Sequence, residues 1–180
     1  MVDLDGTLAR TAEANLRAYL QALQEFGITL LPADLEQRIG GRNWKQFLPA
    51  VLAEAGVDTD PASIAARKAE IYRANLPHLQ LNTGLISAIL ASRPQLKTAL
   101  VTSASRVSVD ALLSLHRLAP LFDLVITGDD VARHKPDPEA YCLAAGRLGV
   151  SPQETLVYED SDIGIASAQA FGAHVIRVVF

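Results

Sequence analysis

What this sequence has little of narrows it first. A single cysteine, Cys142, stands among 180 residues, so no disulfide can form within the chain. That usage is read as a reducing, cytoplasmic setting, with Cys142 as a small apolar residue on a helix face. Basic residues are outnumbered, 16 against 20 acidic, and a net charge of -4 provides no field for gripping a nucleic-acid backbone. No apolar run approaches the roughly 18 residues of a membrane span, and the first residues carry no basic n-region or long h-region. Internal repeats and low-complexity tracts are missing too. The four histidines, His78, His116, His134 and His174, lie too far apart for a metal-ligand spacing, and His134 is read as loop structure. What remains is a globular chain, 49% hydrophobic and 20% charged, long enough for one core domain and a modest insertion. Its partner is read as a small molecule, with no nucleic acid or membrane, and its assembly as a monomer or weak homodimer.

Two rhythms divide the chain. From Thr11 to about Leu90 apolar residues recur at helical spacing, as in Leu16, Tyr19, Leu20, Leu23 and Phe26. Breaks at "FGITLLPADL", Gly40-Gly41, "AGVDTDPAS" and "LNTG" predict four or five short helices there. From about Lys97 short apolar runs alternate with helical segments: "TALVT", "DLVIT", "TLVYE" and "HVIRVV". That alternation predicts a parallel sheet covered by helices on both faces. The opening "MV" reads as a remnant of one more strand. Such a short central strand is expected to leave neighbouring backbone groups unpaired, which reads as a trimmed or misassigned start.

The chemistry-bearing residues follow these runs. Asp3 and Asp5 follow "MV", Thr102 and Ser103 follow "TALV", Lys135 lies in the loop after "DLVIT", and Glu159 and Asp160 follow "TLVY". In a parallel sheet the carboxyl ends of the strands share one edge, where open α/β sheets bind ligands. Residues more than 150 positions apart are therefore expected to meet. With "DLDGT", "VTSAS", "HKPDPEAY" and "YEDSDIGIASAQAFGA" in this order, the chain resembles the haloacid dehalogenase-like phosphohydrolases, in the branch of phosphoglycolate phosphatases and β-phosphoglucomutases.

That resemblance implies a three-layer Rossmann-like α/β core, residues 1–10 and 81–180, and a small all-helical cap, residues 11–80, inserted after the first strand. It implies Asp3 as a nucleophile forming an aspartyl-phosphate and Asp5 as the acid and base. Thr102 would bind a phosphoryl oxygen, with the N–H groups of Leu4 and Ser103 beside it, and Lys135 would neutralise charge. Mg²⁺ would be held by Asp3, the Asp5 carbonyl and Asp160, with Glu159 joining directly or through water. Asp137 and Pro138 read as N-cap and N1 of the next helix, and Asp162 as a tether of its loop or a cap of the following helix.

Specificity is expected in the cap. In "RIGGRNWKQFL", Arg42, Asn43 and Lys45 are candidates to reach a second group of the substrate, and Trp44 reads as cap core. Asn15 stands where the mutases of the branch carry a histidine, and an amide cannot shuttle protons as an imidazole does. Asp5 speaks for phosphate esters over halides, which leave without protonation. The expected activity is hydrolysis of a sugar phosphate or short phosphorylated acid. The alternatives are a sugar-phosphate mutase or a non-catalytic binding module on the same fold.

Overall fold

The computed structural model describes residues 1–93 and 95–180. In chain order the elements are β1 (Ala9–Arg10), α1 (Ala12–Glu25), α2 (Pro32–Ile39), α3 (Leu48–Ala55), α4 (Pro61–Asn75), β2 (Gln80–Leu81), α5 (Thr83–Ser92), β3 (Ala99–Val101), α6 (Arg106–Leu115), β4 (Leu124–Ile126), α7 (Glu139–Leu148), β5 (Leu156–Glu159), α8 (Asp162–Phe171) and β6 (His174–Arg177). Four helices and most of a fifth, α5, fill the stretch read as helical, and each of the four apolar runs after Lys97 is a strand.

β3 pairs with β4 and β5 with β6, both in parallel. Residues 1–3 join the two pairs. Val2 N–H donates to Ala99 O at 2.8 Å and Val2 O accepts from Val101 N at 2.9 Å, while Asp3 N–H donates to Tyr158 O at 3.0 Å. The opening remnant is thus the middle of the sheet, and its backbone is paired on both sides. The short central segment suffices to pair β3 because that strand is itself only three residues long.

Side chains of a strand alternate between faces. Ala99 and Val101 therefore pack with Ala140, Tyr141 and Ala144 of α7 and Ala168 of α8, whereas Leu100 packs with Val109 and Leu112 of α6 on the other face. This second cluster continues into the helical layer, where α1 buries Ala14, Ala18, Tyr19, Ala22 and Leu23. The alanines at four-residue spacing keep one side of α1 thin, and α4 packs closely against it. At the neck, β1 and β2 form a two-residue antiparallel ribbon, Ala9 opposite Leu81 and Arg10 opposite Gln80. It lies where the chain leaves for the helices and returns.

Two details correct the sequence reading. α7 starts at Glu139 with Pro138 as its cap residue, and Asp137 Oδ1 accepts from Glu139 N at 2.9 Å, one position away from the expected arrangement. Ser161, not Asp162, caps α8 by accepting from Gly164 N at 3.0 Å, because its shorter side chain sits at the turn itself. Asp162 is exposed and pairs with Arg177. Cys142 is on a helix as expected, but on its exposed side. No helix among the described residues is long and apolar enough to cross a membrane.

Candidate active site

The carboxyl ends of residues 1–3, β3 and β5 and the loop after β4 converge on one cleft of about 240 Å³ between the sheet edge and the helical layer. Asp3, Asp5, Thr102, Ser103, Lys135, Glu159 and Asp160 all border it. At its floor Lys135, 3% exposed, donates to Asp3 Oδ1 at 2.8 Å, to Glu159 Oε1 at 2.6 Å and to Val101 O at 3.2 Å. An ammonium with three donors is saturated by this set, so it cannot swing away without stranding a buried charge. Burial works to lower its pKa, but Asp3, Tyr141 and Glu159 outweigh that and raise it well above the ordinary lysine value.

Glu159 is fully enclosed. Its Oε1 accepts from Lys135 and its Oε2 from Ser161 N and Ser161 Oγ, each at 3.1 Å. As the side chains stand, Glu159 holds the lysine and the following loop. Asp160 accepts from Thr7 Oγ1 at 3.0 Å and lies against the Asp5–Gly6 turn. Gly6 has φ of +84°, and a β-carbon there would overlap Asp160 Oδ2, so only glycine lets the two loops meet this closely.

Four carboxylates therefore share the site with two buried ammoniums, Lys135 at its floor and Lys68 of α4. Burial and then Glu159 push the Asp3 carboxyl well above the usual carboxylate range, and burial with Glu159 raises Asp160 as well. Asp3, Glu159 and Asp160 each offer an oxygen within 4.8 Å of the others. An uncompensated cluster of hard oxygen donors fits a small divalent cation, and the all-oxygen set suits Mg²⁺ rather than a thiophilic metal. Beside the acids, the N–H groups of Leu4, Asp5 and Ser103 find no acceptor among the described residues. Thr102 Oγ1 accepts from Ala104 N at 3.1 Å, which leaves its own proton to donate. Such converging donors can cradle an anion's oxygens. Of these, the Asp5 amide was missed in the sequence, since an N–H carries no residue signature.

The helical layer contributes differently from expectation. Arg42 borders the cleft, but its guanidinium donates to Gln37 O at 2.9 Å and closes the end of α2. Lys45 does not border the cleft and pairs with Asp129 at 3.3 Å. Asn43, 1% exposed, donates across to Ser103 O at 2.8 Å. Trp44 packs on the core and also lines the cleft. The residue overlooked is Lys68. It falls in the buried stripe Ile64, Lys68, Ile71, Tyr72 of α4, and a lysine within an apolar stripe at helical spacing was the available signal. Its ammonium lies 4.8 and 4.3 Å from the ring centroids of Tyr19 and Tyr72 and donates to Asn15 Oδ1 at 2.5 Å. Asn15 Nδ2 in turn donates to Asp5 Oδ1 at 3.1 Å, an oxygen that also accepts from Thr11 Oγ1. Burial pulls the Lys68 pKa down to about 8.

Comparisons with known proteins agree on one family. Residues 1–178 match the profile described as haloacid dehalogenase-like hydrolase. The chain is 30% identical to fructose-1-phosphate phosphatase YqaB of Escherichia coli, across 98% of this chain and 93% of that protein. It is 32% identical to the phosphorylated carbohydrates phosphatase of Thermotoga maritima, across 94% and 79%. The crystal structure of CbbY from Rhodobacter sphaeroides in complex with phosphate superposes with a TM-score of 0.88 at 28% identity, covering 98% of this chain and 83% of that one.

Proposed function

From the premise that the chain belongs to the haloacid dehalogenase-like hydrolase family, we propose that it is a Mg²⁺-dependent phosphatase of small phosphorylated metabolites, foremost phosphorylated carbohydrates. The observation that carries this reading is the Lys135 ammonium shared by Asp3 and Glu159 at a site where Asp160 and two residues with free amides, Asp5 and Ser103, also border the cleft. Relatives named for phosphatases of fructose 1-phosphate and of phosphorylated carbohydrates support the substrate class. So does the cleft, whose size suits a molecule of a few carbons.

Asp3 Oδ1 is engaged by Lys135, which makes Oδ2 the attacking oxygen. As it bonds to phosphorus, the ester P–O bond breaks and the departing oxygen takes a proton from Asp5. Asp5, now a carboxylate, removes a proton from water, whose oxygen bonds to phosphorus as the bond to Asp3 breaks, releasing inorganic phosphate and regenerating Asp3. The amides of Leu4, Asp5 and Ser103 and the Thr102 hydroxyl hold the phosphoryl oxygens. Asp3 and Asp160 by side chain, Asp5 by its carbonyl and Glu159 through water would hold the metal, which supplies charge neutralisation on the transferring group. Asn15 touches Asp5 yet cannot take up a proton, which favours hydrolysis over mutase chemistry.

A panel of sugar monophosphates and short phosphorylated acids, assayed for phosphate release with and without Mg²⁺, tests the proposal. Metal-dependent release from members of the panel is the expected result. Isomerised monophosphate without free phosphate would assign a mutase instead, and no turnover would leave a binding module.

A further inference from the structure

The turn that the sequence points at the substrate also grips the core, and Arg42 and Asn43 border the cleft. Residues 43–46 send three side chains across to two core loops, the one after β3 and the one after β4. Asn43 Nδ2 donates to Ser103 O at 2.8 Å, Gln46 Nε2 to Lys135 O at 3.3 Å, and Lys45 Nζ meets Asp129 Oδ1 at 3.3 Å. The turn is braced from within: Asn43 Oδ1 accepts from Lys45 N at 3.0 Å, and Asn43 N donates to Gln46 Oε1 at 2.8 Å. The core has left room for it. A β-carbon on Gly128 would overlap Asn43 Nδ2 and stand 2.5 Å from Ser103 O, so the amide occupies space that any other residue at 128 would fill. Two of the three core residues gripped, Ser103 and Lys135, are those assigned to the phosphoryl group, and each is held by its carbonyl, leaving the Ser103 amide and the Lys135 ammonium directed at the site.

We propose that Asn43, seated against Gly128, and Gln46 are positioning residues that fix Ser103 and Lys135 from the cap side, so that docking of this turn sets the affinity of the phosphate cradle. The inference rests on the phosphatase reading. It predicts that the core alone does not hold its anion at full strength, because a buried polar side chain loses its hydrogen-bonding role when its partner is displaced. The cap turn acts on phosphate through main-chain atoms of the core.

Binding of inorganic phosphate to the full chain with Mg²⁺, measured by calorimetry, tests this without turnover. N43A is expected to weaken phosphate binding by about tenfold, within the usual span of coupling between sites. G128A should weaken binding too, by expelling the Asn43 amide and crowding Ser103 O directly, whereas the double variant N43A/Q46A should lose less than the product of the two single losses. Q46A, whose side chain does not border the cleft and so cannot touch the ligand, should weaken binding in the same direction. Thermal melts establish that each variant is folded, and if G128A is not, N43A and Q46A carry the test. Folded variants that bind phosphate like the unmodified protein, or single effects that multiply in the double variant, would overturn the clasp while leaving the phosphatase reading intact. An unmodified protein that binds no phosphate in Mg²⁺ would overturn both.

Discussion

The core and the cap spend charge in opposite ways. In the core, Lys135, Asp3 and Glu159 are nearly water-free and mutually paired, whereas most cap ion pairs, such as Arg38–Glu54 and Arg67–Glu25, lie at the surface. Surface pairs are screened and contribute little, while buried ones fix geometry and are costly to break. The cap reaches the site mainly with neutral groups, Asn15, Asn43 and Thr11, which donate hydrogen bonds without adding to the site's charge. Its one buried ammonium, Lys68, stands behind Asn15. On the proposed reading the core thus supplies the reacting and neutralising groups, and the cap supplies their orientation.

That division can be broken most severely at Asp3. D3N should lower kcat by roughly 10⁴-fold or more, as removal of a covalent nucleophile does, while near-native circular dichroism shows the fold is kept. K135M should abolish turnover and also destabilise the fold by about 3–5 kcal/mol, because Asp3 and Glu159 are left buried without their shared cation; denaturant unfolding measures this. An effect confined to activity would mean that the core pair is not structural.

Lys68 sharpens the comparison from the cap side. As an ammonium it can only donate, so it obliges Asn15 to present its oxygen to the lysine and its NH₂ group to Asp5. K68M should lower kcat by about 10- to 100-fold, in the range of a displaced acid–base group, yet melt no lower than the unmodified protein at neutral pH. The sign follows from burial. With a folded pKa of about 8 against 10.5 for the free group, the unfolded chain binds more protons between those values, so unmodified protein should gain stability relative to K68M as pH rises through that window.

The acids give a smaller effect, read through the metal. Asp3 and Asp160 have raised pKa values, so protons compete with a metal at higher pH than for ordinary carboxylates. The rise in melting temperature caused by Mg²⁺ at about pH 7.5 should shrink on acidification before the usual carboxylate range is reached. Smallest of all, E54Q removes an exposed pair of the cap and should leave melting and turnover unchanged.

The core site was legible in the sequence because its residues follow apolar runs whose ends must share an edge: Asp3, Thr102, Lys135 and Asp160 are placed by strand order alone. The cap was legible as helices but not as a surface. Arg42 and Lys45 read as substrate contacts because a charged loop looks available. Where such side chains go depends on acceptors the sequence does not place beside them: Gln37 O at the end of α2 takes Arg42, and Asp129, 84 positions beyond Lys45, takes the lysine. The two-residue ribbon of β1 and β2 is too short for any periodicity to announce it. Lys68 was readable in principle, as a cation at a core position of α4, but its role needed Asn15 and Asp5 in view.

The central claim is that Asp3 carries the phosphoryl group in mid-reaction. Acid quenching during turnover with Mg²⁺, followed by mass spectrometry of the N-terminal peptide, tests it most directly. The account predicts a phosphorylated Asp3 that D3N lacks. An actively hydrolysing enzyme whose quenched peptide carries phosphate on another residue, or whose D3N variant turns over at an undiminished rate, would contradict it.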